Sequence, residues 1–354
     1  MSEKKRYRKK NKGLVILGRV FAFIGCSIGV LLLLVIAVVF VVFRGPSKEA
    51  SKLLTLSANE TSAMKFLPYL FLPDELVEEY LGITTVAKEE IKEQVVFVPL
   101  PIEPQSIGMN GSSNEESQIA EERELFEVVD VKGATFKGKM LIVSDPSLVR
   151  IVSLDSFGGV GMTLGQFCKK YDAIGATNAG GFLDENGKGK GGIPDGLVIK
   201  NGKIAFGEAQ QFYRDVVGFD SNHMLHVGDM SGQQALNEGI VDGVSFSIGP
   251  YLVKDGVKNP DMGSGINPRT CLGQCADGTV LMMAIEGRLP DSLGATFEDA
   301  ADVLISYGAV NGANLDGGSS SGLYYNDERI TRSCSVVGDR AIPTAVVCAY
   351  GLYQ

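Results

Sequence analysis

The residues best suited to chemistry in this chain lie in one glycine-rich segment, 311-NGANLDGGSSSGLYYN-326. It places one acid, Asp316, beside two glycines and three serines, directly after an apolar run. Consecutive small residues leave backbone N–H groups unshielded and able to converge on an anion, and serine hydroxyls add donors. A carboxylic acid with a raised pKa can transfer a proton to or from a reacting group. The segment therefore predicts a loop that holds a charged substrate, with an ordinary turn as the alternative.

Other carboxylates, amides and arginines also stand at glycine-rich strand ends. They are Asn178, Asp195, Arg269, Glu286, Arg288 and Asn314. An arginine such as Arg269 or Arg288 can pair with a phosphate through two hydrogen bonds. The whole set suits cleavage at a phosphorylated or glycosidic centre, whereas any single member is explained equally well as a turn residue or a surface ion pair.

Several other kinds of site are disfavoured by the motifs. The two histidines, His223 and His226, lack the HExxH arrangement, and Cys271 and Cys275 have no second cysteine pair or nearby histidine to complete a zinc site. The serines after Asp316 lack the GxSxG pattern of a nucleophile elbow. No GxGxxG or GKS motif follows a strand, which argues against a nucleotide cradle.

Two helices are expected to position the glycine loops. The segments 163–173 and 296–308 each begin at a threonine, a good N-cap. Each is followed by a short strand and a double-glycine loop, 175-GATNAGGF-182 in one case and 312-GANLDGGSS-320 in the other. If this similarity reflects an internal duplication, the two loops lie at equivalent strand ends and face one site from two sides.

Short β-type runs punctuated by glycine fill the chain from about residue 125 onward. Asn201-Gly202 between two of these runs is a strong hairpin signal. We therefore predict a domain of the α+β class (mixed α/β) over 125–354, with glycine-rich loops at strand ends around one pocket.

The N-terminal region predicts a membrane anchor. Residues 20–43 contain no charged residue and are long enough, at about 1.5 Å per residue, to cross a hydrocarbon core of roughly 30 Å. The tail 1–19 is basic, which favours a cytoplasmic N-terminus and an extracytoplasmic C-terminal domain on a single-pass cell-membrane protein. An uncleaved anchor is favoured over a signal peptide, because the apolar run is long and Arg44-Gly45-Pro46 does not resemble a cleavage site.

Between the anchor and the domain, residues 44–98 are predicted to form a helical stalk and residues 99–124 a linker. The linker region is rich in Pro, Ser, Gly and acid and has too little apolar content to fold.

Beyond Arg44 the chain has 24 basic and 41 acidic residues, which argues against a nucleic-acid partner. The five cysteines outside the apolar run permit a Cys334–Cys348 bridge, although buried thiols are the default expectation.

Five ordered blocks resemble the phosphodiester glycosidase family. They are NAGGF (178–182), IPDGLVIKNGK (193–203), SIGPYLVKDG (247–256), NPRTCLGQCADGTVLMMAIEGR (267–288) and NLDGGSSSGLYYN (314–326). The closing RAIPTAVVCAYG (340–351) is similar as well. The resemblance covers roughly 125–354 and departs from the family at Gly181, where relatives commonly carry a bulky aromatic, and at 316-DGGSS, where a third glycine is frequent.

The resemblance implies hydrolysis of a sugar-1-phosphodiester at the sugar side, giving a free sugar and a phosphomonoester. The catalytic candidates are Asp316, Glu286 and Asn178. The candidates for substrate or phosphate binding are Arg269, Gly180, Asn314, Gly317, Gly318, Ser319, Ser320, Arg288 and Asp195. Asp316 or Glu286 is expected to act as base or nucleophile at the anomeric carbon, and the two are alternatively ligands of a shared divalent cation, Mg or Ca.

Two functions remain open at this point. One is an anchored extracytoplasmic enzyme of the N-acetylglucosamine-1-phosphodiester type, acting on phosphodiester-linked glycans of the cell envelope. The other is a non-catalytic glycan-binding or exopolysaccharide-assembly protein on the same fold. In both, the expected partners are a phosphodiester-linked glycan and the membrane.

Overall fold

The structure is a computed structural model that describes residues 12–61, 64–82, 124–184, 189–246, 249–335 and 338–352. Almost all of the predicted linker, 99–124, lies outside the described residues, and so does part of the predicted stalk, 44–98.

Six α-helices lie in the described part of the chain. In chain order they are α1 (Lys12–Arg44), α2 (Lys48–Asn59), α3 (Asp74–Tyr80), α4 (Leu164–Tyr171), α5 (Gly232–Asn237) and α6 (Phe297–Ser306). Short 3₁₀ helices occur at Pro68–Leu70, Pro146–Leu148 and Gly318–Ser320.

Seventeen strands form three antiparallel sheets in this same part of the chain. In chain order they are β1 (Phe126–Lys132), β2 (Lys137–Val143), β3 (Val149–Ser153), β4 (Gly175–Asn178), β5 (Val198–Lys200), β6 (Lys203–Phe206), β7 (Phe212–Asp220), β8 (Leu225–Ser231), β9 (Ile240–Ser245), β10 (Tyr251–Lys254), β11 (Val257–Lys258), β12 (Arg269–Cys275), β13 (Val280–Ile285), β14 (Ala309–Leu315), β15 (Leu323–Tyr325), β16 (Glu328–Arg329) and β17 (Thr344–Cys348). The spatial orders are β1-β2-β13-β12-β14-β10-β11, β16-β15-β4-β17-β3 and β6-β5-β9-β7-β8. The predicted α+β class is confirmed.

The three sheets share one apolar interior. Leu272 of the seven-stranded sheet, Val346 of the second sheet and Val217 of the third belong to the same buried cluster. Strand β13 shows the alternation that this requires: Met282 faces the shared interior, and Met283 faces the layer beneath α6. Since both faces of β13 are covered, its sequence is a continuous apolar run.

Each sheet carries a helix on its outer face. Helix α6 packs on the seven-stranded sheet, α4 on the second sheet and α5 on the third. The predicted N-caps are confirmed, because Thr163 and Thr296 each accept a hydrogen bond from the backbone of the first turn and form capping boxes.

The Asn201-Gly202 hairpin is also confirmed. It joins β5 to β6, and both turn residues have positive φ, 52° and 68°.

The N-terminal helices form a small cluster of their own. Helix α1 includes a span of 29 residues, Ile16–Arg44, that is long and apolar enough to cross a membrane. Its Phe43 is buried in a cluster with Leu72, which lies just before α3, and with Val77 of α3. The C-terminal end of α2 then contacts the β domain.

Four strand ends meet at one edge of the molecule. Strands β4 and β14 end at Asn178 and Leu315, while β12 begins at Arg269, which pairs with the last residue of β13, Ile285. Because neighbouring strands are antiparallel, the end of one strand lies beside the start of the next. The loops that carry most of the predicted site residues therefore converge there.

Candidate active site

A polar pocket opens where these loops converge, with a volume of about 720 Å³ when its open mouth is included. It is lined by Glu60, Thr61, Gly181, Phe182, Asp184, Asp195, Phe246, Asn267, Arg269, Arg288, Asp316, Gly317, Gly318, Ser319 and Ser320. Eight of the residues proposed from sequence for substrate or phosphate binding or for catalysis are among them, and they come from three separate sequence blocks.

The two double-glycine loops lie against each other at the base of the pocket. The backbone N–H of Asp316 donates to the carbonyl of Ala179 over 2.9 Å, and the Asn178 side-chain amide donates to the carbonyl of Asp316 over 2.5 Å. The prediction that the loops face one site from two sides is confirmed.

Asp316 has the environment of a proton-transferring group. Its Oδ2 is buried and has no hydrogen-bond partner among the described residues. Burial raises the pKa of the Asp316 carboxyl to about 7, although a hydrogen bond from Ser320 and the charge of Arg340 act in the opposite direction. A carboxyl that titrates near neutrality can exchange a proton with a substrate or a water molecule.

Arg269 is a buried cation that lines the same pocket as the serine turn. It is 3% exposed, and its guanidinium lies 4.1 Å from the centre of the Phe297 ring. Nε donates to the carbonyl of Ala295 and Nη2 to the carbonyl of Gly265. Burial lowers the pKa of Arg269, and the nearby carboxylate of Glu60 opposes that shift.

The carboxylate of Glu60, at the end of α2, occupies an anion-binding seat in this pocket. It accepts from the Gly265 N–H over 2.6 Å and from the Asn267 side-chain amide over 2.9 Å, and it lies 2.8 Å from Arg269 Nη2. One backbone donor, one amide and one guanidinium thus converge on a single carboxylate. The three donors, hereafter the anion seat, would suit a phosphate oxygen equally well.

The close approach of α2 depends on a glycine. A Cβ added at Gly265 would lie 2.2 Å from the backbone nitrogen of Ser57, so any side chain there would push α2 away. The Ser57 hydroxyl accepts from the Ile266 N–H over 2.9 Å, which fixes the register of the contact.

Two further arginines flank the serine turn. Arg288, which has positive φ, donates to the Asn267 side-chain oxygen and, over 2.7 Å, to the Thr61 hydroxyl. Arg340 donates to the Ser319 hydroxyl and pairs with Asp184 at 2.9 Å. The pocket is therefore rich in charge of both signs.

Three of the residues predicted from sequence support the pocket from behind and do not line it. Asn178 is fully buried, and its oxygen accepts from the Thr270 hydroxyl and the Gly322 N–H. Asn314 is also fully buried and donates to the Leu315 carbonyl, while Gly180 donates to the Thr344 hydroxyl. The proposed catalytic role of Asn178 is thus replaced by a structural one, because both ends of its amide bind the protein itself.

Glu286 is not brought to the pocket either. Its carboxylate accepts from the backbone and side chain of Arg332, with oxygen–nitrogen distances of 2.8 Å for both N and Nε. It lines a neighbouring small cavity that shares Gly318 with the main pocket. The pairing of Asp316 with Glu286, as catalytic partners or as ligands of one cation, is not supported by this placement.

Sequence reasoning missed several residues of the pocket. Asn267 and Arg340 lie inside the blocks that carry the family resemblance, so their position in those blocks could have revealed them. Glu60 carries no such signal, since it lies more than 200 positions from the residues it contacts.

The departure at Gly181 has a structural counterpart. A Cβ at Gly181 would lie 3.2 Å from the ring of Phe246, which also lines the pocket. An aromatic side chain from another loop therefore stands next to the position where relatives commonly carry one.

The metal-ligating residue types do not form a ready-made site. Within the described residues, no group of three or more His, Cys, Asp or Glu could hold a metal ion. His226 pairs with Asp220 on the third sheet. All six cysteines lie in the described part of the chain and are free thiols, including Cys334 and Cys348.

Fold and pocket together define an α+β protein with a charged pocket that binds an acidic group beside a carboxyl of raised pKa. Residues 171–349 match the family model of phosphodiester glycosidases, so the chain belongs to the phosphodiester glycosidase family.

Individual relatives are distant. A SPbeta prophage-derived uncharacterized protein, YomE, of Bacillus subtilis (strain 168) is 30% identical over 179 residues, which are 47% of this chain and 27% of that protein. This chain thus covers about a quarter of the length of that relative.

Two solved structures match parts of the chain. The zebrafish N-acetylglucosamine-1-phosphodiester α-N-acetylglucosaminidase catalytic domain, auto-inhibited by pro-peptide, has a TM-score of 0.52 and 20% identity, covering 64% of this chain and 84% of that one. A hypothetical protein from Synechocystis has a TM-score of 0.45 and 16% identity, covering 63% of this chain and 61% of that one.

Proposed function

We propose that this protein is a membrane-anchored extracytoplasmic hydrolase that cleaves sugar-1-phosphodiester bonds in cell-envelope glycans, releasing free sugar and a phosphomonoester. The observation that carries the proposal is the pairing, in one pocket, of the anion seat with Asp316. The first suits a substrate phosphate, and the second suits proton transfer at neutral pH. Family membership supports the reaction type, and the name of the zebrafish relative supports N-acetylglucosamine as the first sugar to test.

In the proposed reaction the substrate phosphate takes the anion seat and displaces Glu60. The turn 317–320 lines the same pocket, but the N–H groups of Gly318 and Ser320 already donate to the carbonyls of Pro268 and Gly317, so the phosphate is bound mainly by the anion seat. Asp316 Oδ2 accepts a proton from a water molecule whose oxygen attacks the anomeric carbon. The bond between that carbon and the phosphate oxygen breaks, and its electron pair leaves with the phosphomonoester. Because that leaving group is already a stable anion, a strong general acid is not required.

A direct nucleophilic role for Asp316 remains an alternative to the base. Hydrolysis through a covalent sugar–enzyme intermediate would retain the anomeric configuration, whereas direct attack by water would invert it. Proton NMR of the first-formed sugar anomer separates the two routes.

The anchor is part of the proposal. Phe43, in the last turn of α1, is buried, and its carbonyl accepts from the Ser51 hydroxyl of α2 over 3.2 Å. A helix whose end is built into the following elements supports a retained anchor over a removed signal peptide. We also propose that the chain is divided into a cytoplasmic tail (1–19), a membrane helix (20–43), a helical stalk (44–98), a linker (99–124) and a glycosidase domain (125–354).

Occupation of the anion seat by Glu60 suggests that the structure represents a closed state. The segment that carries Glu60 precedes the family domain, and the zebrafish relative is described as auto-inhibited by its pro-peptide. We propose a comparable blocking role for residues 57–61, with the substrate phosphate competing for the same donors.

The competing function is a non-catalytic glycan-binding or exopolysaccharide-assembly protein. It would use the anion seat but would have no need for a carboxyl with a raised pKa. The carboxyl of Asp316 therefore favours the enzyme.

The test is turnover of the full chain in detergent on a simple N-acetylglucosamine-1-phosphodiester, followed as free sugar with and without a chelator. We expect Asp316→Asn to lower kcat by about 10²–10⁴-fold, the usual contribution of a general base. The chelator arm decides whether a divalent cation takes part.

Glu286→Gln is the matched control, because it changes an acid near the pocket that is held by Arg332 instead of facing the substrate. We expect its kcat to stay within a factor of about three. Full turnover by Asp316→Asn in a folded protein would exclude the proposed base, and binding of the phosphodiester without any turnover by the unmodified chain would favour the glycan-binding function.

A further inference from the structure

Four large side chains between the pocket and the end of α1 are exposed without a partner in the described structure. They are Met64, Phe66, Tyr69 and Leu70, with exposures from 42% to 67%. Contiguous exposed apolar side chains usually mark an interaction surface. We call the segment Met64–Leu70 the apolar strap.

The apolar strap connects the pocket directly to the helix proposed as the membrane anchor. On one side, the Met64 N–H donates to the carbonyl of Thr61, which lines the pocket. On the other side, Phe71 stacks on Phe43 with ring centres 5.3 Å apart and contacts Phe40 edge-on at 6.4 Å. The apolar strap is thus continuous with the last turns of α1.

The pocket must then lie close to the end of α1. Ser51 contacts Phe43, and Glu60 follows Ser51 by nine residues of α2 and its cap. At 1.5 Å per residue this is a separation of about 14 Å along the helix. A pocket held that close to the anchor is within reach of lipid headgroups.

The rim of the pocket is also partly apolar. Leu183, which stands between the lining residues Phe182 and Asp184, is 52% exposed, and its N–H donates to the carbonyl of Ile193, another exposed apolar residue. Leu183 and Ile193 thus add exposed apolar surface beside the lining residues Phe182 and Asp184.

From these observations we propose that the apolar strap lies in the membrane interface and that the pocket acts on a lipid-linked sugar phosphodiester, whose hydrocarbon chain stays in the bilayer. The inference rests on the anchored hydrolase proposed above and narrows its substrate class. The membrane is favoured over a protein partner as the occupant of this surface, because the strap is continuous with α1. Tyr69 is a side chain typical of a membrane interface, and Phe66 adds exposed apolar area beside it.

The membrane contact of the apolar strap is tested first, by measuring how deeply a side chain of the strap lies in the bilayer. This measurement does not depend on enzymatic activity. The chain contains no tryptophan, so a single introduced indole has no background. Phe66→Trp and Val257→Trp are compared in the full chain, reconstituted in phosphatidylcholine vesicles with brominated acyl chains. Val257 is 69% exposed and stands near the start of β14, at the opposite end of that strand from Asp316. We expect strong quenching at position 66 and little at 257; equal quenching would overturn the membrane contact.

The substrate class is tested with two phosphodiesters of the same sugar, one carrying a long polyisoprenoid chain in the vesicles and one carrying a methyl group in solution. Leu70→Glu places a charge on the strap, and Val257→Glu is the control of matched exposure. We expect Leu70→Glu to lower kcat/KM for the lipid-linked substrate by about tenfold, because a charge at the interface weakens docking, and to leave the soluble substrate unchanged.

The outcomes separate the two proposals. Hydrolysis of the soluble substrate with no preference for the lipid-linked one would overturn the substrate class and leave the proposed reaction standing. Hydrolysis of neither would overturn the proposed reaction and the substrate class together, while the quenching result would still decide whether the strap contacts the membrane.

Discussion

At the scale of single residues, Asp316 combines two properties that its sequence context could only suggest. Its backbone is fixed by the facing loop through Ala179, and its Oδ2 is buried without a partner among the described residues. A buried carboxylate without compensation is costly, and this cost is what raises its pKa. The same burial that makes Asp316 useful for proton transfer should therefore make the protein less stable.

The first prediction concerns the pH dependence of turnover. If Asp316 acts as the base, it must be ionised, so kcat/KM should rise with pH through about 7, the raised pKa of this carboxyl in the free protein. The measurement is a pH–rate profile on a soluble sugar phosphodiester from pH 5 to pH 9. A rate that falls through this range would instead assign Asp316 as an acid, and a flat profile would indicate a permanently ionised nucleophile or ligand.

The second prediction concerns stability. The pKa of Asp316 is raised from 3.8 to about 7 on folding, so the folded state binds this proton more tightly than the unfolded state. The associated stability is present below pH 4 and is lost as the pH rises towards 7. Asp316→Asn removes the ionisation and should stabilise the protein at pH 8 by on the order of 1–3 kcal/mol.

Thermal melts of both proteins at pH 5 and pH 8 check the second prediction. The difference in Tm between variant and unmodified chain should be larger at pH 8 than at pH 5. A difference that is the same at both pH values would show that Asp316 does not titrate in this range.

At the scale of elements, helix α2 is more than the stalk predicted from sequence, because it links α1 to the pocket of the β domain. The hydroxyl of Ser51 holds it to the end of α1, while Ser57 and Glu60 hold it to the β domain. Helix α2 thus spans the distance between the two and places a carboxylate on Arg269. A buried ion pair of this kind contributes little net stability, so a competing phosphate can displace it.

The third prediction follows from this competition. Glu60→Gln removes the negative charge that binds the three donors of the anion seat, so a larger fraction of the protein has this site free for substrate. The KM for a soluble sugar phosphodiester should therefore fall by about threefold to tenfold. The measurement is steady-state kinetics on the full chain, with Glu78→Gln on the exposed face of α3 as the control. Gly265→Ala, which forces α2 away, should change KM in the same direction.

A contrary result would be informative about Glu60. If Glu60→Gln raised KM or lowered kcat, the carboxylate would be a positioning residue for Arg269 and not a block. Unchanged KM and kcat values for Glu78→Gln would show that the effect of Glu60→Gln arises at the anion seat and not from the loss of one negative charge.

At the scale of the whole molecule, charge and hydropathy divide the chain. Residues 1–44 are basic and contain the apolar span, and the remainder is acidic. This asymmetry predicts orientation by the positive-inside rule. Under the anchoring and the strap contact proposed above, the acidic body would be held at the membrane by α1 and the apolar strap and not by electrostatic attraction.

The fourth prediction is topological. Protease added outside intact cells that express the full chain should digest the β domain and leave the tail 1–19 protected, and the protein should remain in the membrane fraction after an alkaline carbonate wash. Detection uses epitope tags at the two ends. A mature protein that lacks residues 1–44, or a β domain protected from the protease, would contradict the anchored extracytoplasmic orientation.

Local sequence patterns were sufficient to predict the short-range elements of this protein. The threonine caps at 163 and 296, the Asn201-Gly202 hairpin and the helix–strand–loop pattern around Asp316 all depend on neighbouring residues, and all were predicted correctly. The resemblance of five blocks also identified the family and brought Asp316, Arg269 and the serine turn together.

Which polar residues line the pocket could not be predicted from local patterns and became clear from the folded chain. Glu286 carries the same carboxyl group as Asp195 and Asp316, yet its partner Arg332 lies elsewhere in the chain and ties it to the protein itself. The amide of Asn178 is likewise held by Thr270. Glu60 reaches the pocket across more than 200 positions because Gly265 allows α2 to approach. Whether a carboxyl is free to act depends on three-dimensional packing and burial, and no local pattern in the sequence encodes these.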